Sequence, residues 1–252
     1  MNRFFVDKEN IFEKQGKVLI NELEDINHIT KVLRLTIGDE IEICNKEKRE
    51  YRVLINGINK KEISCKIKES YPSQREASIE VVLFQSIPKA SKMDLIIQKN
   101  VEIGVDKIVP VISHRCVAKI KDKSSEMKKI ERWQRIAQEA AKQCKRGIIS
   151  KIENAVEFSK LRNMVYDLDM VLIPYEEEKS RGIKKSIINK GNIKKIGIII
   201  GPEGGFTEEE ILEAEKWGCL PISLGPRILR TETAGLVTTS ILMYELGDLG
   251  GK

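Results

Sequence analysis

Histidine is almost missing from this 252-residue chain, which holds only His28 and His114, and its five cysteines (Cys44, Cys65, Cys116, Cys144 and Cys219) never fall in CxxC spacing. Scattered thiols without histidine partners exclude a zinc cluster and a disulfide framework, so no metal is expected. The phosphate-binding signatures GxxxxGK(S/T) and GxGxxG are missing too, which sets aside P-loop and dinucleotide-binding folds. No apolar run nears the ~20 residues that span a bilayer, and acidic residues come too early in MNRFFVDKENIF for a secretory signal. A cytoplasmic protein is expected. Aromatic residues make up only 5%, but 41% hydrophobic and 33% charged residues describe a globular chain with a sizeable core.

What is present is positive charge, unevenly spread. The net charge of +6 suits a polyanionic partner. Residues 1 to 72 contribute little of it, with 14 Lys/Arg against 13 Asp/Glu, whereas residues 115 to 151 hold 12 against four, a local excess of +8. Within that stretch, Ser124 to Arg146 has helical periodicity. At about 100° per residue Ile130, Trp133, Ala137, Ala140 and Cys144 share one face, and Lys128, Arg132, Arg135, Lys142 and Arg146 share the opposite one. This second face is expected to be an acid-free ridge that binds RNA phosphates.

In chain order, residues 1 to 71 read as a small β domain: FFV, KVLI, DEIEICN, REYRVLIN and EISCKIK are β-branched runs separated by turn signals, with one helix from Glu22 to Leu33. YPSQRE, from Tyr71 to Glu76, breaks the pattern, and a second domain is expected over 74 to 252. There SIEVVLFQSI reads as a buried strand, Pro88 to Gly104 as an amphipathic helix and DKIVPVI as another strand. This β-α-β order implies a parallel sheet.

Lys194 to Leu246 holds two strand-loop-helix units in succession. KKIGIII suits a strand buried on both faces and stops at Gly201-Pro202-Glu203-Gly204-Gly205, where glycines permit a sharp turn and close approach to a ligand. Thr207 and Glu210 have capping-box spacing for the helix that follows. The second unit runs from a strand at Leu220 to Leu224, through Gly225 to Arg230, into a helix from Thr231 to Leu246. Glycine turns before helices usually attract phosphate, but Glu203, Glu208, Glu209 and Glu210 crowd the first one. A cationic or neutral ligand fits better.

IGIIIGPEGGFTEEE and SLGPRILRTETAG resemble the two late motifs of the SPOUT methyltransferase superfamily, specifically the RsmE family, which methylates N3 of a uridine in 16S ribosomal RNA of the small subunit. NHITKVLRLTIGDEIEI resembles the family's N-terminal signature, and HRCVAKI through RWQRIAQEAAKQCKR also resembles it, whereas KEKR at Lys46 to Arg49 replaces its usual glycine-containing turn. The resemblance implies an α/β SPOUT domain with a C-terminal trefoil knot, a PUA-like β-barrel before it, a homodimer, and S-adenosylmethionine as methyl donor. Carried onto this chain, the donor site would comprise Ile173 and Pro174 at a strand end, Ile200, Gly201, Pro202, Glu203, Gly204 and Gly205 in the first loop, and Leu224, Gly225, Ile228, Leu229 and Arg230 in the second. Arg3, Lys31 and Arg34 would add RNA contacts.

Uridine N3 carries a proton and attacks only once it is lost. Arg230 or Arg227 is expected to stabilise the charge left on the imide oxygens, and Glu232 to act as the base or to orient an arginine. Two other readings stay open: a SPOUT enzyme that methylates a ribose 2′-hydroxyl, and a non-catalytic RNA-binding assembly factor.

Overall fold

A computed structural model describes residues 1–117, 122–188 and 191–251; Ala118, Lys119 and Ile120 of the HRCVAKI stretch lie outside them. The chain forms two compact units, one made of Met1–Glu76 with Ala141–Ile149 and the other of Ala77–Ala140 with Ser150–Lys252.

The first unit contains β1 (Arg3–Phe5), β2 (Ile11–Phe12), β3 (Lys17–Ile20), α1 (Leu23–Asn27), β4 (Glu40–Cys44), β5 (Arg49–Ile58) and β6 (Ile63–Pro72). They build one six-stranded sheet in the order β1-β4-β5-β6-β3-β2, antiparallel except where β1 runs parallel to β4. Alternate β-branched residues, including Val18, Ile41, Ile43, Val53, Ile55 and Ile63, face one core. The helix expected over Glu22 to Leu33 is α-helical only to Asn27 and continues as a π turn over His28–Val32. There the Thr30 hydroxyl donates to the Ile26 carbonyl at 2.7 Å, a side-chain bond that competes with the helical ladder.

A linear boundary in the seventies misses one part of this unit. Residues 141–149 belong to it because the Glu76 carboxylate accepts from the Gly147 N–H at 2.6 Å and from Arg146 at 2.8 Å. The KEKR turn places Lys46 and Lys48 at φ +63°, the left-handed region a glycine would occupy without strain.

The second unit contains β7 (Glu80–Ser86), α2 (Lys92–Ile103), β8 (Lys107–Ile112), α3 (Lys123–Cys144, ending within the first unit), β9 (Lys151–Ile152), β10 (Val156–Glu157), α4 (Arg162–Val165), β11 (Met170–Pro174), α5 (Ile183–Ile187), β12 (Lys195–Ile200), α6 (Glu208–Lys216), β13 (Leu220–Ile222) and α7 (Thr231–Glu245). Its sheet runs β10-β8-β7-β12-β11-β13 with β9 on β8, and every pairing is parallel.

Helix α2 buries Met93, Ile96, Ile97 and Val101, one helical stripe, and packs on α7. It begins at Lys92 rather than Pro88, because Ala90 at φ +55° breaks the helical path. Behind these helices sits a polar seam: Thr239 Oγ1 donates to Asn100 Oδ1 at 2.9 Å, and Gln85, Asn100 and Thr239 are all fully buried.

Candidate active site

Three strands that end side by side carry the loops of one cavity. At the end of β12 the chain turns through Gly201–Gly205, closed by a Gly205 N–H to Pro202 carbonyl bond of 3.0 Å, with Gly205 at φ +68°. The turn is then anchored downstream. Thr207 caps α6 by accepting from the Glu210 N–H, and the Glu210 side chain accepts from the Thr207 N–H at 2.9 Å and from the His114 N–H at 2.8 Å.

The second loop is tied to the first where it enters α7. Thr231 Oγ1 donates to the Gly201 carbonyl at 2.6 Å and accepts from Gln85 Nε2 at 2.9 Å. Because Gln85 is fully buried on β7, these two bonds fix both loops to the sheet. The end of β11 joins them through the Tyr175 N–H, which donates to the Ile222 carbonyl at 3.0 Å. In open parallel sheets the space beyond the carboxyl ends of the strands is where ligands bind.

The cavity there measures about 420 Å³, within the range of small-molecule sites. Of the expected donor contacts, Pro174, Ile200, Gly201, Pro202, Glu203, Gly205, Leu224, Gly225, Ile228, Leu229 and Arg230 line it, together with Arg227. Two expected contacts do not reach it. Ile173 is fully buried in the sheet core, and Gly204 faces outward with its carbonyl accepting from Arg115 Nη1 at 2.8 Å. The resemblance placed the pocket wall at the end of β11, and there Pro174, not Ile173, lines the cavity.

Sequence reading passed over Lys92, Glu176, Phe206, Thr231 and Ala234, which also line the cavity. Lys92 is the most consequential of these. Its Nζ lies 3.1 Å from Glu203 Oε1 and 3.3 Å from Glu232 Oε2, and the Lys89 N–H donates to the same Glu203 oxygen at 3.0 Å. The Glu203 hydrogen bond raises the Lys92 pKa, burial opposes it and Glu232 adds to it. Burial alone would raise the Glu203 carboxyl; its own N–H, that of Lys89 and the Lys92 ammonium outweigh this and lower it. Glu203 therefore turns toward the start of α2 and does not crowd α6 as its sequence position suggests.

Glu232 pairs with Lys92, and no arginine lies within ion-pair distance of it among the described residues, so the arginine-orienting role is set aside. Arg227 and Arg230 are exposed and make no ion pair or side-chain hydrogen bond among the described residues.

The expected RNA contacts divide sharply. Lys31, Arg34, Lys128, Arg132 and Arg135 are exposed, although Arg132 pairs with Asp94. Three others are not available. Arg3 is 7% exposed: β1 runs beside β4, so Arg3 falls opposite Glu42 and reaches Glu42 at 3.3 Å, Glu50 at 3.1 Å and the Arg146 carbonyl at 2.6 Å. Arg146 is buried against Glu76, and Lys142 pairs with Asp25 at 3.2 Å. The α3 face is not free of acids either, since Glu139 is exposed and helical spacing sets it between Arg132 and Arg135.

A family model for an RNA methyltransferase domain matches residues 75–243, and one for an RNA methyltransferase PUA domain matches 20–68. The ribosomal RNA small subunit methyltransferase E of Bacillus subtilis is 33% identical over 257 residues, covering 100% of this chain and 99% of that protein. The chain belongs to the ribosomal RNA small subunit methyltransferase E family. The Buchnera aphidicola member from Acyrthosiphon pisum is 37% identical over 89% of this chain and 87% of its own length.

Among solved structures, the family's Neisseria gonorrhoeae enzyme bound to S-adenosyl methionine superimposes with a TM-score of 0.87 at 27% identity, covering 99% of each chain. A methyltransferase from Legionella pneumophila with bound cofactor SAM gives 0.85 at 32% identity over 98% of each. The two units therefore have the family's fold, a PUA domain followed by an α/β methyltransferase domain.

Proposed function

We propose that this chain transfers the methyl group of S-adenosylmethionine to N3 of a uridine in 16S ribosomal RNA, as a cytoplasmic homodimer whose C-terminal segment is threaded in the trefoil knot implied by the resemblance. The observation that carries the reading is a single cavity walled by both glycine-proline loops, with two unpaired guanidiniums at its rim.

The walls fit such a donor. Glycine backbone at 201 and 205 allows close approach, and an added Cβ at Gly201 would come within 3.2 Å of the Phe206 ring. Apolar Pro174, Ile200 and Leu229 suit an adenosine face, while Glu176 suits the cationic part. When bound, the donor supplies an electrophilic methyl carried by a sulfonium.

Glu232 is assigned to accept the N3 proton. Arg230, with Arg227 beside it, donates hydrogen bonds to the imide oxygens as they gain charge, a role worth ~10²- to 10³-fold per donor by analogy with oxyanion holes. The loops would hold the donor with its methyl aimed for in-line attack by uridine N3, which removes the entropy of a chance encounter.

Exposed Lys31, Arg34, Lys128 and Arg135 are assigned to RNA phosphates. No helix is long and apolar enough to cross a membrane among the described residues.

Mass analysis of nucleosides from small-subunit RNA, after incubation with protein and donor, tests the reading. The expected product is 3-methyluridine. A ribose-methylated nucleoside, or unmodified RNA with folded protein and donor in excess, would overturn it.

A further inference from the structure

Lys92 occupies a position that local helix physics disfavours. It is the first residue of α2, where the positive end of the helix dipole opposes a cation and favours an anion. The two carboxylates that offset this come from elsewhere in the chain, Glu203 from the loop after β12 and Glu232 from the first turn of α7. The Lys89 N–H and the Lys92 ammonium converge on the same Glu203 oxygen, and the left-handed Ala90 between them gives the segment the bend that permits it.

The other end of the bridge is unusual in its own way. Glu232 Oε2 is buried and has no aligned hydrogen-bond donor among the described residues, although Lys92 Nζ stands 3.3 Å away. A buried acceptor left without an aligned donor calls for an explanation. Here the contact with Lys92 is a charge contact that keeps acceptor capacity free.

We propose that Lys92 is a positioning residue for methyl transfer: its ammonium joins the GPEGG loop to Glu232, so one side chain fixes both a wall of the donor pocket and the proton acceptor. This rests on the methyl-transfer reading above. It deepens that reading by giving α2, which carries none of the glycine-proline motifs, a part in the reaction.

The charged and titratable groups lining the cavity are Lys92 from α2, Glu203 from the loop after β12, Tyr175 and Glu176 after β11, and Arg227 and Arg230 before α7. Of these only Lys92 is within ion-pair distance of Glu232.

The test compares Lys92→Met and Lys92→Arg with wild type in kcat, KM for donor and for RNA, and pH–rate profile, with donor affinity by calorimetry and folding by circular dichroism. Lys92→Met is expected to lower kcat about tenfold, a part of the ~10²- to 10⁴-fold typical of a general base, and to change the pH–rate profile. Lys92→Arg, which keeps the charge, should recover most of both.

A folded Lys92→Met with wild-type kcat and pH profile would overturn the inference. So would an effect confined to donor affinity, which marks a pocket prop alone. If wild type makes no 3-methyluridine, it is the parent reading that has failed; if wild type is active and Lys92→Met matches it, only this inference has.

Discussion

Arg3 and Arg230 carry the same guanidinium in opposite settings. Around Arg3 two carboxylates, Glu42 and Glu50, and a backbone carbonyl close in, and Glu50 is itself fully buried. Around Arg230 there is an open cavity rim and no partner among the described residues. A buried arginine enclosed by carboxylates cannot reach a substrate, whereas an exposed, unpaired one at a pocket mouth has up to five N–H donors to offer. Burial and pairing separate an arginine held inside the fold from one open to a ligand, where charge counting cannot.

The largest effect should come from breaking the buried set. Arg3→Met leaves Glu50 buried with Arg75 as its remaining close cation, and removing one partner of a buried pair costs about 3–5 kcal/mol. Denaturant unfolding would measure it. The same network has a pH signature. Burial alone would raise the Glu50 carboxyl, but Arg3, Ser73 and Arg75 outweigh it and hold it below its ordinary 4.5. A carboxyl lowered in the folded state contributes stability that is complete above the unfolded value and is lost as pH falls through the folded one. Stability should therefore drop below about pH 4.5, and drop less steeply in Arg3→Met.

Arg230→Ala should do the reverse, leaving unfolding unchanged while turnover at saturating donor and RNA falls ~10²- to 10³-fold. A variant that unfolds early, or turns over normally, would erase the contrast with Arg3.

The basic residues of α3 sharpen the comparison at smaller cost. Arg135→Ala should reduce the slope of log affinity against log salt by about 0.7–0.9, whereas a charge-removing change at Arg146, buried against Glu76, should act on stability instead. The smallest effect belongs to the KEKR turn. Lys48→Gly relieves a left-handed backbone worth about 1–2 kcal/mol, less the entropy cost of glycine, and should raise stability by a few tenths of that to about 1 kcal/mol.

What the sequence made legible was local. The Thr207–Glu210 capping box, the strand before Gly201 and the glycine that ends α2 at φ +119° all lie within a few residues of their partners. What it hid was long-range. Lys92 stands 111 residues from Glu203 and 140 from Glu232, so no spacing rule joins them. Residues 141–149 read as the tail of a helix until the Glu76 side chain claims them for the first unit. Periodicity assigned Arg146 to a solvent face, but α3 ends at Cys144 and the rule lapses there.

Calorimetric titration with S-adenosylmethionine tests most directly whether the two loops form one cradle. Wild type should bind one donor per chain, and so should Arg230→Ala. Gly205→Val should lose binding, since a branched side chain is forced into a left-handed turn with its Cβ 3.4 Å from Glu176. A folded wild-type protein that gives no saturable binding, or a Gly205→Val variant that binds as wild type does, would contradict it.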